Sequence, residues 1–207
     1  MPKRRMRGGA VVGVAEHGNS AVLVTLTREG ELLDRRTVDL THDLPTHLYH
    51  HEGSWAVGRY RDSPCSREIS LSDAIALVER VRKAAVLGAR EALDELASFL
   101  TVPISSITLR VCPRLPANTK ERIVDTRAAA VADSVMYREA LATEAVARDW
   151  SVHWYDRERV SQEAAETLVG KDVEAFLQAM GRGSGPPWQA RHKLAARAAL
   201  AVMRLPA

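Results

Sequence analysis

Three short apolar runs open this sequence before any helical periodicity begins, and that order constrains the fold more than any other feature. Ala10 to Ala15 (AVVGVA) and Ala21 to Leu26 (AVLVTL) are separated by the polar, glycine-containing stretch Glu16 to Ser20, the spacing of a β-hairpin. Arg28-Glu29-Gly30-Glu31 reads as a turn. Leu32 to Leu40 then sets Leu32, Val38 and Leu40 on one face with charges between them, as in a half-exposed edge strand. A three-stranded antiparallel meander is predicted.

Residues 41 to 69 carry no sustained period and are rich in His, Pro and Gly, which marks a long connection of the functional or mobile kind. Ser70 with Asp73 makes a capping box. The stripe Ala74, Val78, Val81, Ala85, Gly88, Ala92 and Leu96 that follows predicts a long helix, with Gly88 allowing close approach to the sheet. Ile104 to Cys112 reads as a fourth strand stopped by Pro113 and Pro116. Asn118 with Glu121 starts helical sequence that breaks near Asp125 and runs to Arg148. Ser151 to Tyr155 is a fifth strand, with Trp154 expected in the core. Helices follow at about 158–168 and 171–180, then a Gly/Pro loop from Gly181 to Pro187 and a terminal helix from Trp188 to about Arg204.

Charge narrows the partners. Lys3, Arg4, Arg5 and Arg7 supply more than the whole formal net charge of +3, so the body is close to neutral and residues 1–8 form a basic, flexible arm. Residues 9–207 are expected to make one domain. Inside it, residues 182–207 carry five bases and no acid, which suits a polyanion. No run is long and apolar enough for a membrane span, the N-terminus lacks a signal-peptide core, and Cys65 and Cys112 form no CxxC. A cytoplasmic protein is expected. The use of 24 Arg against five Lys, with abundant Ala, fits a GC-rich bacterial genome.

The order strand, strand, strand, helix, strand, helix, strand, helices predicts an α/β fold with one mixed five-stranded sheet flanked by helices. It resembles the ribonuclease H-like superfamily. The late stretches VHWYDRERV, VGKDVEAFLQAM and PPWQARHKLAARAALA are similar to the Holliday-junction-resolvase branch, where a late strand and short helix lead through a Gly-containing joint to an Ala-rich final helix bearing acid or histidine. That resemblance implies phosphodiester cleavage with magnesium or manganese held by carboxylates, and DNA or RNA as the partner, while zinc, the lesser alternative, is suggested only by the histidines described below. Glu16 falls near the family's first-strand acid and His192 near the acid or histidine of the last helix. Two positions depart from the pattern: strand four ends Cys112-Pro113-Arg114 with no carboxylate, and three residues after His192 stands Ala195.

The C-terminal ends of strands one, three, four and five are expected to gather at one sheet edge, where open α/β folds bind ligands. That edge collects Glu16, the His50-His51-Glu52 loop, Arg114, Asp156 and the first turns of the last helix. Four of the seven histidines, His42, His47, His50 and His51, fall within ten residues and are followed by Glu52, a set suited to a transition metal. Glu16, Glu52 and His192 are thus the expected catalytic residues, Glu16, His50, His51, Glu52 and His192 the expected metal ligands, and Arg114, Arg191, Lys193 and Arg197 the expected nucleic-acid contacts. The expected activity is metal-dependent cleavage or structure-specific nucleic-acid binding. The alternative is a catalytically inactive module acting in protein–protein interaction, with a second copy of itself or another partner.

Overall fold

The computed structural model describes residues 9–42, 44 and 69–203. The elements are β1 (Ala10–His17), β2 (Ser20–Leu26), β3 (Leu32–Asp39), α1 (Leu71–Phe99), β4 (Ile104–Arg110), α2 (Thr119–Val124), α3 (Thr126–Val146), β5 (Ser151–Tyr155), α4 (Val160–Thr167), α5 (Val173–Ser184) and α6 (Ala190–Ala201). The sheet order is β3-β2-β1-β4-β5. β2 runs antiparallel to both its neighbours, while β1, β4 and β5 are parallel. A three-stranded meander extended by two parallel crossover strands is the ribonuclease H-like sheet that the element order predicted.

β1 lies at the centre and is apolar on both faces, so its residues divide by parity. Val12 and Val14 join Leu23, Ile107 and Leu109 in a core beneath α1, α2 and α3. Val11 and Ala15 join Val22, Val24 and Leu26 in a second core beneath α4, α5 and α6. The sheet is thus the middle of three layers, and Glu16 and Ala15 at the end of β1 face different ones. None of the described helices is long and apolar enough to cross a membrane.

The caps follow the sequence closely. Asp73 N–H donates to Ser70 Oγ at 3.1 Å, and Glu121 N–H to Asn118 Oδ1 at 2.8 Å. Asp125 ends α2 and starts α3, its carboxylate accepting from the amides of Arg127 (2.8 Å) and Ala128 (3.1 Å). Gly88 sits where a Cβ would come within 2.2 Å of Leu40 O, so the close approach foreseen there is to the backbone just past β3. Several boundaries differ from expectation, the largest shift being in α5. β3 and β4 stop at Asp39 and Arg110, and α5 runs on to Ser184 through the stretch read as a loop. The reason for the last is local packing: Trp188 lies against Gly181, where a Cβ would meet the indole at 2.3 Å, and that contact offsets the poor helix propensity of glycine. β5 is also an edge strand, so Trp154 is 44% exposed instead of buried, while Trp150 and Tyr155 are core.

Candidate functional site

Three of the expected site segments end at the same sheet edge, but their side chains are differently committed. Glu16 closes β1 on the α3 side. Its Oε1 accepts from Arg138 Nε at 2.7 Å and pairs with Nη2 of the same guanidinium, and Arg138 Nη1 donates to Val111 O at 3.0 Å. Both side chains are almost wholly buried, 5% and 6% exposed for Arg138 and Glu16. Each charge has the other as its counter-ion, which is what allows either to be there.

Around this pair the edge is closed by structural bonds. Tyr155 OH donates to Val14 O at 3.0 Å, tying β5 across to β1, and burial foremost pushes its phenol pKa well up, so it stays neutral. Cys112 is half-buried beside Arg138. Burial raises its thiol pKa against the opposing pull of the guanidinium, so this cysteine is no activated nucleophile. Asp156 is exposed and accepts from Glu158 N–H at 2.8 Å, forming the turn into α4.

His192 lies on the other face of the sheet. α6 packs over the layer to which Ala15 belongs, and His192 stands in its first turn, 7% exposed. Its Nδ1 accepts the backbone N–H of Gln189 at 3.2 Å, while the Gln189 side chain accepts the backbone N–H of His192: a reciprocal capping box with imidazole where Glu or Gln usually stands. Trp188 packs beside the ring at 5.8 Å between centroids. Burial, with Arg35 and Arg191 nearby, holds the His192 pKa below the ordinary imidazole value.

The neutral ring is the capping form, because protonation of Nδ1 destroys the acceptor. The cap therefore contributes fully above the unfolded imidazole pKa of about 6.5 and is lost as pH falls below it. We expect His192→Ala to cost about 0.5–2 kcal/mol at neutral pH and His192→Gln much less. Urea unfolding of the two variants checks this, and the wild-type advantage over His192→Ala should shrink on acidification.

Glu16 and His192 are consequently not brought to one metal. Glu16 answers to Arg138 on the α3 face, and His192 Nδ1 is spent on its own helix. Among the described residues no three His, Cys, Asp or Glu side chains gather into a metal-binding group. The donor set among the described residues does not fit two divalent ions. His47, His50, His51 and Glu52 lie outside the described residues, as do the basic arm and Cys65.

The basic residues also separate. Arg197 pairs with Glu174 and Lys193 Nζ lies 3.6 Å from the same carboxylate, so these two tie α6 to α5 instead of standing free for phosphates. Arg114 and Arg191 are exposed and have no carboxylate partner among the described residues. Sequence reasoning missed two cations. Arg138 is one of three charged residues, with Asp133 and Glu144, that α3 buries among apolar ones. Arg35 crosses from β3 to the loop before α6, donating through Nη2 to Ser184 O and Pro186 O, both at 3.0 Å, and through Nη1 to Pro187 O.

No family model matches this sequence, and no curated protein does. Among solved structures the chain is similar to Thermus thermophilus RuvC in complex with Holliday junction substrate, at 11% identity and TM-score 0.48, over 93% of this chain and 91% of that one. It is also similar to a second Thermus thermophilus RuvC structure, at 12% identity and TM-score 0.47, over the same shares of the two chains. The strand order β3-β2-β1-β4-β5 with β2 reversed is what makes this fold ribonuclease H-like.

Proposed function

We propose that this chain is a ribonuclease H-like nucleic-acid-binding module whose sheet edge is held by an internal ion pair in the place where the resemblance implies a two-metal centre. One observation carries the reading: Glu16, the expected first-strand ligand, is buried against Arg138. A guanidinium there supplies the positive charge that the carboxylate needs and repels a divalent ion from it. Nucleic acid is favoured as partner by the segregation of charge. Arg114 after β4 and Arg191 at the start of α6 are exposed and have no carboxylate partner among the described residues, and the last 26 residues carry no acid. This reading keeps the binding half of the expected function and assigns no role in catalysis to Glu16, Glu52 or His192.

Fluorescence anisotropy with single-stranded and branched oligonucleotides at several salt concentrations tests it. Affinity should fall steeply with salt, and the Arg114→Glu, Arg191→Glu double variant should bind at least tenfold more weakly with a shallower salt slope, by about one unit per lost phosphate contact. Wild-type protein that binds none of these substrates at low salt overturns the proposal.

A second reading, a protein-interaction module, is favoured by one feature. Trp154 is 44% exposed on β5, the unpaired edge of the sheet, and Val111 just past β4 is 43% exposed. An exposed tryptophan on an edge strand suits a docking surface, and a stable complex with a second copy or another protein that Trp154→Ser abolishes would favour this reading.

A further inference from the structure

We infer that the cavity between the β2–β3 turn and the C-terminal ends of α4 and α6 binds a small organic monocarboxylate, with Arg28 holding the anion. β2 runs antiparallel to β1 and β4 runs parallel to it, so the turn after β2 and Arg114 after β4 lie at opposite ends of the sheet. The site is therefore separate from the surface proposed for nucleic acid.

Arg28 is the central residue, because it lines the cavity with nothing to bind. Its Nε is buried and has no hydrogen-bond partner, and the guanidinium makes no ion pair among the described residues. Buried donors are rarely left so in a folded protein. Its charge is felt as far as β5, where burial first and Arg28 second hold the His153 pKa below the ordinary imidazole value, with no carboxylate acting against them.

A cation beside two helix C-termini ordinarily serves their last carbonyls. Here it does not. Leu200 O of α6 accepts from Met203 N–H at 3.2 Å, Leu168 O at the end of α4 accepts from Lys171 N–H at 2.8 Å, and Arg28 donates to neither. Lys171, a second cation on the wall, stands with Nζ 5.9 Å from the centroid of the Phe176 ring and pairs with no acid among the described residues. Glu29 is the one acid among the described lining residues. It is exposed and pairs with neither cation.

The walls define the rest of the ligand. Leu168 and Leu200 are buried and Met203 is half-buried, while Val169 at the rim is 76% exposed, an apolar side chain that an apolar ligand body would cover. The volume is about 260 Å³, below the range of roughly 300–1,000 Å³ that drug-sized ligands occupy, so a nucleotide is too large. A guanidinium fork matches a carboxylate through two parallel hydrogen bonds. A carboxylate on a short apolar or aromatic body satisfies the fork, the second cation and the apolar walls together.

The test titrates full-length protein, carrying 13C-methyl labels on Leu, Val and Met, with benzoate, benzyl alcohol and inorganic phosphate. Benzoate should move the methyl resonances of Leu168, Val169, Leu200 and Met203 saturably, with Kd in the millimolar range. Benzyl alcohol has the ring without the charge and phosphate has charge without the ring, so each should bind about tenfold more weakly. Arg28→Gln should weaken benzoate by about tenfold, and Arg28→Lys, which keeps the charge but not the fork, should fall between. Methyl groups that benzoate leaves in place, or moves equally in Arg28→Gln, overturn the site. Benzyl alcohol or phosphate binding as tightly as benzoate overturns the carboxylate assignment. Should Arg28→Gln fail to fold, Arg28→Lys and Lys171→Gln decide: benzoate affinity unchanged in both overturns the site.

Discussion

Replacing Arg138 by methionine is expected to destabilise the protein by about 3–5 kcal/mol, the usual cost of stranding one member of a buried ion pair. The substitution leaves the Glu16 carboxylate buried without its guanidinium and removes the donor to Val111 O. Replacing both partners, Glu16→Met with Arg138→Met, should recover most of the loss, because no uncompensated charge then remains. Urea unfolding with the slope held common to all variants gives the coupling directly. A carboxylate held ready for metal ions behaves in the opposite sense: its neutral variant gains stability, since repulsion with neighbouring acids is relieved. If Arg138→Met costs less than about 1 kcal/mol, or Glu16→Gln is stabilising, Glu16 is not the structural partner described here.

The second large effect is expected at Gly13. A Cβ there would stand 1.9 Å from Ala195 O and 2.7 Å from Ala199 N, both backbone atoms of α6. No rotamer change relieves such a clash, so α6 must move away from β1 and open the core that holds Val11, Ala15, Ala195, Ala196 and Ala199. Gly13→Ala is expected to cost at least about 3 kcal/mol. Gly183, on α5, serves as the opposite control, since a methyl group added there would meet nothing within 4 Å. Gly183→Ala should stabilise by about 0.5–1 kcal/mol through helix propensity alone. Thermal unfolding of the two variants side by side measures both. Equal and small effects would mean that α6 does not pack on β1 as described.

These two positions also mark what was and was not legible beforehand. Element order and caps could be read because each depends on residues close together in the chain: Ser70 on Asp73 and Asn118 on Glu121. The mixed sheet followed from that order. The orientation of Glu16 did not, because AVVGVA is apolar on both faces and has no alternation from which to count parity. Nor could its partner be found, since Arg138 lies 122 residues away and nothing local ties the two. Trp154 was misplaced for a related reason. Composition identifies a strand but does not say whether it is central or at the edge, and β5 is at the edge. His192 was expected as a ligand, but a histidine at N3 of a helix serves a cap as readily, and no local pattern in the sequence announces the Gln189 bond that it makes.

The division of the candidate site follows from the same parity. Glu16 points into the α3 layer and α6 covers the layer of Ala15, so a strand residue and a helix residue that look convergent along the sheet edge are separated by the sheet itself.

The most direct test of this account is one binding isotherm measured twice: a branched oligonucleotide titrated with the wild-type protein, once in excess chelator and once in manganese, with the DNA recovered and sized at the end. A binding module of the kind described gives the same affinity in both and returns intact DNA. Binding that requires the metal, or cleavage in manganese that disappears in Glu16→Gln, would contradict it.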